Sequence, residues 1–187
     1  EAPAKAAAEQ IIAAARAATE SGGSNEQAAT RRVHALWVLE RLSALPPETL
    51  TRAAGDEALI CRVHACRIAG SRATWSALER EIALRGLHDA DGAVRQAAAQ
   101  ALAAHPESGH IEPLVAAIQQ VPAQDPLLRH ALRIALRDQL RPPDHWASLQ
   151  NNAPESNVTR ALLAVATGVH TAQSASYLLD NLTGQTS

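Results

Sequence analysis

Asp91–Leu102, DGAVRQAAAQAL, is the stretch whose reading decides the fold. Asp91 stands where a side chain can accept from the free amides of a helix's first turn. Val94, Ala98, Ala101 and Leu102 follow at spacings of four, three and one, which puts them on one helix face. Arg95 lies on the flank of that face, one turn from Asp91 and within its reach. Alone, the segment would be an ordinary amphipathic helix. What gives it weight is recurrence.

Arg32, Arg62, Arg95, Arg129 and Arg160 each open the pattern R-x-x-small/apolar-x-x-apolar, and they stand 30, 33, 34 and 31 residues apart. Three residues on come Ala35, Ala65, Ala98, Leu132 and Leu163; six on come Val38, Ile68, Ala101, Ala135 and Ala166. Asp125 repeats the position of Asp91, while Ala28, Asp56 and Ser156 show that the other units keep it loosely. A two-helix unit leaves an apolar face it cannot bury alone, and stacking joins such faces into one core. The expectation is an all-α solenoid, an α-α superhelix of about five helix-pair repeats. Its arginine column, with Asp91 and Asp125, reads as a structural ladder bridging Asp side chains and helix-end carbonyls between repeats.

Composition agrees. Of the 187 residues 47% are hydrophobic, yet Phe and Met are absent and alanine supplies the excess. Alanine is the best helix former and lets helices approach closely. Helices are expected over 3–20, 26–44, 47–54, 58–69, 73–86, 91–104, 111–121, 126–140, 144–149, 157–168 and 172–182, with Gly70 as a C-cap and Trp75 buried by the fifth. The whole chain, 1–187, reads as one repeat domain with units at 3–45, 46–71, 72–105, 109–141 and 142–169 and a capping helix at 171–183. The formal net charge of −2 offers no basic field for nucleic acid. No apolar run approaches the roughly eighteen residues of a membrane span. The N-terminus carries neither an initiator Met nor a signal-peptide pattern, so a processed product or a fragment is expected.

The motif D-x-x-V-R-x-x-A-x-x-A-L resembles HEAT and HEAT-like repeats. More narrowly, Arg32–Leu45 and Leu127–Leu140 (LLRHALRIALRDQL), in that order, look like blocks of the HEAT region of PVC-type haem-binding CxxCH proteins, also labelled membrane-bound dehydrogenases. The likeness covers roughly residues 25–141. It implies a larger assembly: a sugar-dehydrogenase-like propeller, HEAT repeats, then a haem c module. Only the middle part is here, since the chain has no CxxCH and no Met, so the family's haem ligands have no positions to land on. The resemblance also implies a periplasmic or otherwise extracytoplasmic location.

Candidate chemistry is thin. His34 and His64 share a slot two residues after the repeat arginine, and His130 sits one residue off it, but no HExxH or zinc-type Cys/His spacing occurs. Cys61 and Cys66 are five apart, about 140° on a helix, and read as small buried hydrophobes. Trp37, Trp75 and Trp146 read as packing residues, with His145-Trp146 in its Pro-flanked helix the best candidate for an exposed binding spot. No catalytic, metal-ligating or cofactor-binding residue is assigned, and haem c would belong to a separate domain.

The function expected is that of a non-enzymatic scaffold contacting protein domains or subunits. Second helices line the concave face of HEAT-like solenoids, so His34, Arg41, Arg67, Gln96, Gln100 and Arg137 are the candidate contacts. The alternative is a ligand-binding or enzymatic solenoid, resembling a chromophore lyase or a DNA glycosylase. With 2% aromatic residues the chain is poorly supplied for either.

Overall fold

The computed structural model describes residues 2–20, 22–23, 25–151 and 156–183. Among them the chain is all helical: α1 (Ala2–Glu20), α2 (Glu26–Arg41), α3 (Pro47–Ala54), α4 (Leu59–Ser71), α5 (Ala77–Gly86), α6 (Gly92–Ala104), a 3-10 turn (Ser108–His110), α7 (Ile111–Gln120), α8 (Pro126–Gln139), α9 (Pro143–Asn151), α10 (Ser156–Ala166) and α11 (Ala172–Thr183). Helices pack in neighbouring pairs, α1 on α2, α3 on α4, α5 on α6 and α7 on α8. The second helices also pack in series, α2 on α4, α4 on α6, α6 on α8 and α8 on α10. This is an all-α helical-repeat fold.

Local signals set the boundaries. Asn25 accepts from Ala28 N at 2.8 Å and starts α2. Asp125 caps α8 through Leu128 N, with Pro126 in the first turn where its missing N–H costs nothing. α2 closes just beyond Arg41, where Ser43 has a left-handed φ of 53° and Ala44 N reaches back to Leu39 O at 2.8 Å. That is the closing geometry in which glycine is usual.

Two expectations about boundaries are corrected. The fifth helix begins at Ala77, not 73, because Ser76 and Glu79 form a reciprocal capping box just before it. Trp75 therefore lies outside the helix, half-buried, donating its indole N–H to Ala69 O at 2.7 Å. Gly70 is no C-cap: it lies within α4, and a Cβ there would stand 2.8 Å from Ala101 Cα. Gly86 does the same for α5, whose added Cβ would meet Ala98 Cβ at 2.8 Å and Cys66 Sγ at 3.0 Å. Small residues thus bring three helices into near backbone contact, which is what the alanine excess provides.

One buried cluster runs from Ala15 to Tyr177. Leu39, Leu50, Ile68, Leu102, Leu132, Leu136 and Leu162 are fully enclosed. Trp146 is also fully buried, against Tyr177 of α11 with ring centroids 5.2 Å apart, and its N–H is held by Leu140 O at 2.8 Å. The expected exposed spot at His145-Trp146 is corrected accordingly: the ring is core, and α11 supplies its cover. Among the described residues no helix is long and apolar enough to cross a membrane.

Candidate functional site

The arginine column takes a definite form. Arg32 clasps both carboxylate oxygens of Asp56 at 3.0 Å and donates to Gly23 O at 2.9 Å. Arg62 clasps Asp89 at 2.8 and 3.1 Å and donates back to the carbonyls of Asp56 and Glu57. Each guanidinium therefore ties the loop before its own helix to the loop of the next unit. Burial opposes ionisation of Asp89, but the Arg62 guanidinium and the Asp91 amide outweigh it and hold that carboxyl below the usual range.

Further along, the rungs simplify. Among the described residues Arg95 donates to Asp89 O and Ala90 O, and Arg129 to Val121 O and Pro122 O, with no carboxylate clasped by either. The clasping carboxylates, Asp56 and Asp89, stand six residues before Arg62 and Arg95; six before Arg129 stands Ala123. The expectation that Asp91 and Asp125 belong to the ladder is corrected. Asp91 accepts from Ala93 N and Asp125 from Leu128 N, so both are helix caps, standing four residues before the arginine of their own helix where Asp56 and Asp89 stand six.

The fifth arginine is corrected too. In α10 the buried residues are Val158, Leu162, Val165 and Ala166, matching Leu128, Leu132, Ala135 and Leu136 of α8 at an offset of 30. Arg129 then aligns with Thr159, and Arg160 falls one position on, where it is exposed. The apolar stripe, which has to meet the core, sets the register in place of the repeated letter.

The candidate contact residues lie on the second helices as expected. His34, Arg41, Arg67, Gln96 and Gln100 are exposed. Arg137 is half-buried and paired with Asp138 at 2.7 Å. His34 and His64 are neighbours, and His64 accepts the Trp37 indole N–H on Nδ1 at 2.8 Å. Burial, with the nearby Arg67 and His34, pushes the His64 pKa down. His130 is exposed on α8, and among the described residues no group of three or more metal-ligating side chains comes together. Cys61 and Cys66 are buried free thiols, and burial pushes Cys66 up to about 11.

Several polar clusters were not visible in the repeat pattern. Arg72 joins Glu40 of α2 to Glu79 of α5, at 2.7 Å on the Glu40 side. Burial opposes ionisation of Glu79, yet Ser76 and Arg72 together hold its carboxyl down at about 2. At the edge of the next unit Arg80 pairs with Glu107 at 2.6 Å. Gln139, fully buried, bonds Glu107 N at 2.9 Å and Leu102 O at 2.8 Å. His110 directs Nδ1 at the Gln139 carbonyl oxygen, 3.3 Å away. Its Nε2 is buried and, among the described residues, without a hydrogen bond, 3.8 Å from Glu107. Trp75 stacks on His105 with centroids 4.4 Å apart. The recurring i to i+27 separations of Arg62–Asp89 and Arg80–Glu107 are the signal that would have found these pairs.

Family models, curated proteins and solved structures were all compared with this chain, and none matches it.

Proposed function

We propose that the protein is a non-enzymatic helical-repeat scaffold whose second-helix surface contacts protein domains or subunits. The observation that carries this reading is where its polar side chains go. Arg32, Arg62, Arg72, Arg80 and Gln139 are each spent on joining one helix pair to the next, as a rigid spacer requires. Residues left facing outward on α2, α4 and α6 differ from unit to unit: His34 and Arg41, then Arg67, then Gln96 and Gln100. Variation on a fixed frame suits recognition of an irregular protein surface.

By its likeness over residues 25–141 to the HEAT region of haem-binding CxxCH dehydrogenase-like proteins, we place the scaffold in a larger extracytoplasmic polypeptide, where it would hold a dehydrogenase-like domain and a haem domain at fixed separation. The test is cross-linking mass spectrometry on the full gene product. Cross-links from introduced cysteines at Gln96 and Gln100 to another domain or subunit are expected. Their absence, together with a bound chromophore or turnover by the isolated chain, would overturn the scaffold reading in favour of a ligand-binding or enzymatic solenoid.

A further inference from the structure

The small net charge of −2 conceals a segregation between the two layers. The second helices α2, α4, α6, α8 and α10 carry ten arginines against three carboxylates. The first helices α1, α3, α5, α7 and α9 carry five cations against seven carboxylates. On the second helices the ladder arginines are occupied by loop groups and Arg137 by Asp138. Arg31, Arg41, Arg67, Arg133 and Arg160 remain, all exposed, and none forms an ion pair among the described residues.

Arg133 is out of place in a specific way. The residue four after each ladder arginine is buried in the earlier units, as Leu36, Cys66 and Ala99, with Cys66 Sγ close against Gly86 of α5. In α8 that slot holds Arg133, whose charge cannot be sealed between helices without a partner. It stays exposed beside a groove of about 200 Å³, lined also by Ile118, Gln119, Asn157, Ala161 and Arg160, with no carboxylate among the described lining residues.

We propose that this second-helix surface docks a short acidic segment of a partner protein, with a partner carboxylate seated between Arg133 and Arg160. The inference rests on the scaffold reading above and adds the chemistry of the partner. Two cationic forks lining one small groove suit a carboxylate, which arginine binds in bidentate fashion. A long nucleic acid is disfavoured, because the acidic first-helix layer and the negative net charge repel an extended polyanion. All three Trp side chains are half-buried or buried, so the surface offers no tryptophan stacking platform for bases.

The experiment is fluorescence anisotropy with a labelled Glu/Asp-rich peptide at low salt. Wild-type protein should give saturable binding that weakens as salt rises. Arg133→Glu with Arg160→Glu should weaken it by about tenfold or more, while Arg16→Glu with Arg85→Glu, on the first helices, should leave it nearly unchanged. If the first double variant melts early, Arg133→Gln with Arg160→Gln keeps the measurement interpretable and should still cost several-fold. No saturable binding, equal loss in both pairs, or tighter binding of a single-stranded oligonucleotide of equal length would each overturn the proposal. Domain cross-links that survive Arg133→Glu with Arg160→Glu would sink this inference and leave the scaffold standing. Peptide binding without any domain or subunit cross-link would do the reverse.

Discussion

The Arg62 guanidinium holds both oxygens of the Asp89 carboxylate, 27 residues ahead, while its remaining nitrogen holds the carbonyls of Asp56 and Glu57 behind it. One side chain thereby fixes the spacing of two successive units. The pair is largely shielded, with side-chain exposures of 20% and 15%.

Arg62→Ala should therefore cost about 2 kcal/mol in chemical denaturation, because it strands the Asp89 carboxylate as well as two carbonyls. Arg95→Ala, which loses only carbonyl contacts, should cost about 1 kcal/mol, and Arg67→Ala, exposed, less than about 0.5 kcal/mol. A double-mutant cycle of Arg62→Ala and Asp89→Ala should return a coupling of about 1 kcal/mol or more. Equal losses at Arg62 and Arg67 would contradict the ladder.

Ala123 stands where the sequence of rungs calls for an aspartate. Ala123→Asp offers Arg95 the forward partner that Arg32 and Arg62 already have. A gain of about 0.5–1 kcal/mol is expected, reduced at high salt. Arg95→Ala in the same background should abolish the gain.

Gly70→Ala should destabilise by about 1–3 kcal/mol although alanine is the better helix former. The added methyl meets the Ala101 backbone, which cannot yield without parting α4 from α6. Ser43→Gly should do the opposite, raising stability by up to about 1 kcal/mol by relieving the left-handed backbone at φ 53°. Thermal melts of the two variants give both signs.

Acid should unfold the protein in two stages. His64 and His110 are harder to protonate folded than unfolded, chiefly through burial. His110 faces Glu107, Gln139, Arg80 and His105, and Glu107 only partly offsets its burial. Both histidines therefore leave stability intact above about 6.5 and remove it as pH falls below that value. Glu79 acts lower: its stabilisation is complete above about 4.5 and is lost as pH falls towards about 2. Denaturation midpoints measured from pH 8 to pH 3 should fall in that order, and His110→Gln should flatten the first step.

Much of this architecture was legible. The arginine period located the second helices, and Pro and Gly marked nearly every loop. The rest is hidden where a strong local signal outweighs a distant partner. Asp89 and Asp91 lie two residues apart; the cap signal favoured Asp91, and only the fold shows Asp89 facing Arg62. Matching by letter placed Arg160 in the ladder, whereas Val158 and Leu162, which must reach the core, put Thr159 there. Trp146 looked exposed because α11, which covers it, lies about thirty residues away. The charge segregation is not legible in a sum over the whole chain, which hides which helix each arginine occupies. Of the outward contact residues, position is readable from the repeat, but the groove at Arg133 depends on α7 and α10 closing around it, which only the fold shows.

Ala123 and Arg133 together give the molecule a mechanical grain. Up to the third unit, consecutive hairpins are riveted by a clasp at the loop and by small-residue contact along the helices. Beyond it the clasp is missing at Ala123, and two turns into α8 the exposed Arg133 stands where the earlier units bury Leu36, Cys66 and Ala99. Pulled from its two ends, such a rod should yield first beyond α8, since Gln139 still ties α8 to the preceding unit. Compliance is thus concentrated beside the same arginines that face solvent, so whatever seats there also stiffens the hinge.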